Sequence, residues 1–141
     1  MEVGSFDVNG TVRPLFEGAA AYVGVDVAPG PGVDVVVAYG KLPFESAAFD
    51  VVVSTEMLEH DRKPWRTAAE MVRVLRRGGR LLATARGFDE GGAFPFHNPP
   101  DRWRFSEDGM RALLEDAGAA AVEEEKVVVV EEEEEEAAEE E

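Results

Sequence analysis

The stretch Phe49-Asp50-Val51-Val52-Val53-Ser54-Thr55-Glu56-Met57-Leu58-Glu59-His60 constrains this chain more than any other. It opens with an aspartate, runs through consecutive valines, and turns polar at Ser54. A short, wholly apolar run is the pattern of a strand buried on both faces, as in a parallel sheet. The polar residues beyond it then fall where open α/β sheets bind ligands, outside the carboxyl ends of the strands.

The flanking sequence supplies the rest of such a sheet. Glu2-Val3-Gly4 reads as a short first strand running into a turn, with Asn9-Gly10 tolerant of the left-handed backbone a tight turn needs. Thr11 to Glu17 is at most a short helix, with Pro14 confined to its first turn. Ala21 to Asp26 reads as a second strand ending in a carboxylate, and Ala28-Pro29-Gly30-Pro31-Gly32 forbids a helix after it. Asp34 to Ala38 is a third strand. Pro64 to Arg77 has the spacing of a helix, with Trp65, Ala68, Ala69, Val72 and Leu75 as its apolar stripe and Gly78-Gly79 at its end. A fifth strand is expected over Arg80 to Arg86. Ser106 followed by Glu107-Asp108 starts another helix, whose apolar face is Met110, Leu113, Leu114 and Ala117 and whose end is Gly118. Val127 to Val130 offers one further strand.

Several of these pieces, in this order, resemble the class I S-adenosylmethionine-dependent methyltransferases (type 11-like domain): the Gly-rich turn after the first strand, Val23-Gly24-Val25-Asp26, Leu42-Pro43-Phe44 ahead of Phe49-Asp50, and the helix leading through Gly78-Gly79 into Arg80-Leu81-Leu82. The resemblance covers about residues 2–118. It implies an α/β fold, a Rossmann-like three-layer sandwich with a mostly parallel open sheet, incomplete at the C-terminal hairpin. It implies S-adenosylmethionine as cofactor, with Glu2 and Gly4 at the Gly-rich loop, Asp26 accepting from the two ribose hydroxyls, Tyr39 and Gly40 at the adenine edge, and Ser54 and Thr55 along the methionine part. A carboxylate suits a vicinal diol because it offers two acceptor oxygens. The sequence departs from the family pattern at Phe6 and Val8, where glycines are usual, and at Ala38, where an acid usually meets the adenine amino group.

Two histidines are candidates for acid–base work. His60 follows the central strand among Glu56, Glu59 and Asp61, and imidazole titrates near neutrality; the alternative is that it caps a turn and touches the cofactor edge. His97 lies in an aromatic stretch from Gly87 to Phe105, which reads as a lid or substrate loop at the carboxyl edge. In it His97-Asn98-Pro99-Pro100-Asp101-Arg102-Trp103-Arg104-Phe105 resembles a loop found in a subset of these enzymes, and Trp103 and Phe105 read as core anchors.

Charge and composition narrow the partners. The net charge is −16, of which residues 123–141 carry −11 through twelve Glu and one Lys, leaving −5 on the remainder. The organisation expected is a methyltransferase-like domain over 1–130 and an acidic low-complexity tail over 131–141. An acidic surface disfavours nucleic acid, and Arg73, Arg76, Arg77 and Arg80 read as a solvated helix face. There is no cysteine, so disulfides and thiolate metal sites are excluded, and no metal site is expected. No apolar run reaches membrane-spanning length and no signal-peptide pattern opens the chain, so a cytoplasmic protein is the expectation. Exposed sheet edges would suit pairing with a second copy as a homodimer. The function expected is methyl transfer to a small polar acceptor. The rival is a non-catalytic binding module of the same fold, shortened at both ends. A nicotinamide-dependent oxidoreductase fits less well, because no Gly-x-Gly-x-x-Gly follows the first strand.

Overall fold

A computed structural model describes residues 1–8, 10–88 and 100–120. Among the described residues five strands form one sheet: β1 (Glu2–Val3), β2 (Gly24–Asp26), β3 (Val35–Val36), β4 (Phe49–Ser54) and β5 (Leu75–Ala83), in the order β3-β2-β1-β4-β5. Every pairing is parallel. The chain steps outward from β1 to β3, then returns to lay β4 on the other side of β1. That reversal puts the topological switch point, where open α/β sheets bind ligands, between β1 and β4. The α/β open-sheet fold is therefore as the sequence predicts.

Two helices complete the described fold, α1 (Pro64–Val74) and α2 (Glu107–Asp116). The segment after β1 makes only a 3-10 turn, Arg13–Phe16, with Pro14 at its start. Ser106 caps α2 as expected, its side chain accepting from the Gly109 N–H at 3.0 Å, and Gly118 follows its end with φ +102°. The core lies where the helices meet the sheet, with Val25, Val52, Leu58, Ala68, Met71 and Val74 fully buried and Met110 beside them.

The structure corrects the sequence reading in three places. First, α1 buries Pro64, Thr67, Ala68, Met71 and Val74, while Trp65 and Ala69 face solvent. The buried stripe is therefore rotated by one residue from the apolar one. The cause is Thr67, whose hydroxyl donates to the buried Asp61 carboxylate and so enters the interior as a satisfied polar group. Secondly, α1 ends at Val74 rather than Arg77. Leu75 takes an extended backbone (φ −77°, ψ 131°) and pairs with Phe49. Between the Phe49–Leu75 and Val51–Arg80 pairs, β4 advances two residues and β5 five. Three extra residues thus bulge out around Gly78, whose φ of +73° suits glycine. Strand β5 then ends at Ala83, short of Arg86. Thirdly, β2 begins at Gly24 rather than Ala21, and β3 is confined to Val35–Val36. The expected strand at Val127–Val130, the tail over 131–141, Asn9, Phe94, Phe96 and His97 lie outside the described residues.

Candidate functional site

The carboxyl ends of the parallel strands bring most of the expected cofactor residues to one edge. Gly4 directly follows β1 with φ +82°, and a Cβ built there would stand 2.5 Å from Met57 Cγ in the loop after β4. The two loops at the switch point therefore meet at a place only glycine fits. Asp26 ends β2, and its carboxylate takes the Phe6 N–H on Oδ2 (3.1 Å) and the Val27 N–H on Oδ1 (2.7 Å). Each oxygen keeps a further lone pair for a ligand hydroxyl. Phe6 fills the usual glycine position with a ring that lies against Gly30, where an added Cβ would meet its Cε2 at 2.0 Å.

At the centre of the edge, Ser54 is fully buried, and its Oγ has no hydrogen-bond partner among the described residues. A buried hydroxyl left unsatisfied costs about 1–3 kcal/mol, so its place at the strand end suits a ligand atom. Thr55 is half-buried beside it. Glu56 holds a left-handed backbone (φ 47°), unusual for a residue with a side chain, with its N–H directed at Thr84 O (3.1 Å). Tyr39 is exposed beyond β3, and Gly40 (φ +64°) would place a Cβ 3.0 Å from Arg66 Cβ. Glu2 differs from the rest: its buried carboxylate accepts from the Tyr22 hydroxyl, which holds one oxygen inside the protein.

A second cluster lies beyond β4, around the His60 that the sequence singles out. It joins the 3-10 turn Leu58–His60 to residues 100–105. The Glu59 carbonyl accepts the N–H groups of Arg102 (2.6 Å) and Trp103 (3.1 Å), and the Trp103 indole donates to Asp61 O at 2.6 Å. His60 stands between two carboxylates, with Nδ1 3.0 Å from Asp101 Oδ1 and Nε2 3.7 Å from Glu59 Oε1. Asp101 in turn accepts from Arg104 (2.7 Å) and Arg86 (3.3 Å). Burial alone would raise its carboxyl, but the two guanidiniums and His60 hold it below the usual range. Its partners lie 3 to 41 residues away, so no local spacing marks them. Among the described residues, no group of three His, Cys, Asp or Glu is placed to hold a metal ion.

Glu59 is the outlier of this cluster. It is 1 % exposed, and burial pushes its carboxyl up to about 7. The Glu56 and Asp101 carboxylates add to the rise, while backbone N–H groups oppose it. An acid raised on folding binds more protons folded than unfolded between its two values, here 4.5 and about 7. The fold should therefore lose stability as pH rises through that window, by about 3 kcal/mol from this group. Urea unfolding at pH 5.0 and 7.5 checks this, and Glu59→Gln should remove most of the difference. An unchanged difference in the variant would assign the pH dependence to other groups.

Comparison with known proteins places this geometry. The family model described as "Methyltransferase domain" matches residues 8–83. An uncharacterized methyltransferase of Mycobacterium marinum is 42% identical over 52 residues, spanning 37% of this chain and 20% of that protein. Among solved structures, the methyltransferase complexed with the Trm112 activator of Haloferax volcanii aligns with a TM-score of 0.64 and 22% identity, over 83% of this chain and 59% of that one. The trans-methyltransferase CalH, solved with S-adenosylhomocysteine, aligns with a TM-score of 0.61 and 19% identity, over 83% of this chain and 43% of that one. The chain thus spans a fifth of the curated relative and about three-fifths or less of these solved chains. Among the described residues, no helix is long and apolar enough to cross a membrane.

Proposed function

The chain belongs to the methyltransferase domain family, and we propose that it binds S-adenosylmethionine at the carboxyl edge of its sheet and transfers the methyl group to a small polar acceptor. The observation that carries this reading is Asp26, a strand-end carboxylate with free lone pairs, tied by the Phe6 N–H to the turn at Gly4. The side chains present fit the cofactor. Asp26 would take the ribose hydroxyls, Gly4 would let the backbone approach, and the orphaned Ser54 hydroxyl with Thr55 would meet the methionine part. Tyr39 and Gly40 would edge the adenine, and Glu2, through the oxygen that Tyr22 leaves, would support the loop from below.

When bound, the cofactor supplies a methyl group on a sulfonium, a reaction whose leaving group is already good. What is left for the chain is to hold the acceptor in line and exclude water. Where the acceptor must lose a proton, His60 and His97 are the proposed bases, and the carboxylates beside His60 would orient its ring. We place the protein in the cytoplasm, with a domain over 1–130, an acidic tail over 131–141 and a second copy of the chain as its candidate protein partner.

Phe6 and Val8, where the family usually has glycine, and Ala38, where it usually has an acid, favour the second reading, a binding module without catalysis. Calorimetric titration with S-adenosylhomocysteine separates the two. The catalytic reading expects micromolar binding that weakens at least about 30-fold in Asp26→Ala, the loss of two charge-assisted hydrogen bonds. Folded protein that does not bind would leave only the module.

A further inference from the structure

We propose that Trp65 and Trp103 form an aromatic platform that holds the planar ring of an anionic acceptor, such as an aromatic carboxylate. The two rings meet edge to face, 6.0 Å between centroids and 81° between planes. Both stay open to solvent, Trp65 at 51 % and Trp103 at 40 %, so Trp103 is not the core anchor the sequence suggests, whereas Phe105 packs against the core. Large aromatic rings exposed side by side gain from being covered by another ring. They are also held firmly enough to act as a surface. Trp65 sits in the first turn of α1, and Trp103 is fixed by its indole bond to Asp61 O and its N–H bond to Glu59 O.

Charge selects the kind of ring. In a chain of net charge −16, every acid in residues 59–66 and 100–104 is turned inward: Glu59 is 1 % exposed, Asp61 2 %, and the Asp101 side chain 5 %. The exposed charges of those segments are Arg62, Lys63, Arg66 and Arg102, all cationic. A planar ligand carrying a carboxylate would stack on indole and meet these cations. The platform also stands at the correct edge. Arg66 packs against Gly40, at the candidate adenine edge, and the Arg102 guanidinium donates to His60 O at 2.5 Å.

Only the ligand's role as methyl acceptor rests on the methyl-transfer reading; the surface itself is read from these side chains. The chain has two tryptophans, both in this pair, so its indole emission reports on the platform without labelling. The experiment titrates the full chain, excited at 295 nm, with benzoate, benzamide and cyclohexanecarboxylate. Benzoate should change the emission saturably, with an affinity about fivefold or more above either of the others, which lack the charge or the ring. Trp65→Leu should lower benzoate affinity by a similar factor, with its fold checked by circular dichroism. Arg66→Gln should weaken benzoate and leave benzamide unchanged.

Equal responses to the three probes would overturn the inference. So would a response to anionic phospholipid vesicles with none to benzoate, which would make the surface a membrane contact. Calorimetry of the wild-type chain with S-adenosylhomocysteine runs alongside. Failure there with benzoate bound would sink the methyl-transfer reading and keep the platform, and the converse would do the opposite.

Discussion

Gly24→Ala is expected to destabilise the fold by about 2–3 kcal/mol, through overpacking that the surroundings cannot relieve. A Cβ at this position would stand 2.3 Å from Gly32 O and 2.7 Å from Ser5 Oγ. The first of these is backbone, and the residue has no direction in which to retreat. Gly24 is paired with Glu2 of β1, its N–H donates to Asp34 Oδ2 at 2.8 Å, and its carbonyl accepts the Asp34 N–H at 2.8 Å. Gly32 is held as closely, because its own Cβ would come 2.5 Å from Ser5 O. The strain must therefore pass into Ser5 and on to Gly4 and Phe6, the loop that donates to Asp26. Cofactor affinity should fall with stability, on the order of tenfold for a displacement of a few tenths of an ångström. Gly18→Ala is the control, since nothing lies within 4 Å of its Cβ. Urea unfolding of both variants checks the prediction, and a Gly24→Ala midpoint equal to that of Gly18→Ala would refute the packing argument.

Asp101→Ala should be the most damaging polar substitution, at about 3–5 kcal/mol. The side chain is 5 % exposed, and the guanidiniums it faces, Arg86 and Arg104, are 11% and 17% exposed. Removing the carboxylate that both guanidiniums face breaks a buried ionic cluster, which is strongly destabilising. The same carboxylate faces His60, so the variant also loosens residues 100–105 from the turn at Leu58–His60. Asp101→Asn keeps the shape and loses the charge, so it separates the two contributions. Thermal unfolding of both variants reads the effect. Asp101→Ala within 1 kcal/mol of wild type would mean that the cluster is solvated and contributes little.

The central strand was legible because its signal is local. Three valines between an aspartate and a serine fit a buried parallel strand, and the polar residues beyond it fell at the edge as expected. The positions of Asp26 and Gly4 at strand ends were legible for the same reason. The face of α1 was misread because Trp65 counted as core by hydropathy and Thr67 did not. A hydroxyl bonded to Asp61 entered the interior, and a tryptophan with an aromatic partner 38 residues away stayed out. The start of β5 was misread because Leu75-Arg76-Arg77 continues a helical pattern, and only pairing with β4 makes it extended. His60 was singled out by its neighbours in sequence, but its place in a cluster with Asp101, Arg86 and Arg104 was not legible. The members come from three segments, which no local spacing links. Glu2 was placed by its position before Gly4, and only the fold reveals its bond to Tyr22.

The account rests on a cofactor site at the carboxyl ends of β1, β2 and β4. The most direct measurement is amide NMR of the full chain titrated with S-adenosylhomocysteine. Shifts concentrated at Gly4, Ser5, Asp26, Val27, Gly40, Ser54 and Thr55, with Gly78, Gly79 and Arg80 at the opposite end of the sheet unmoved, are the predicted result. A folded chain whose amides do not move, or move first around Gly78, would contradict it.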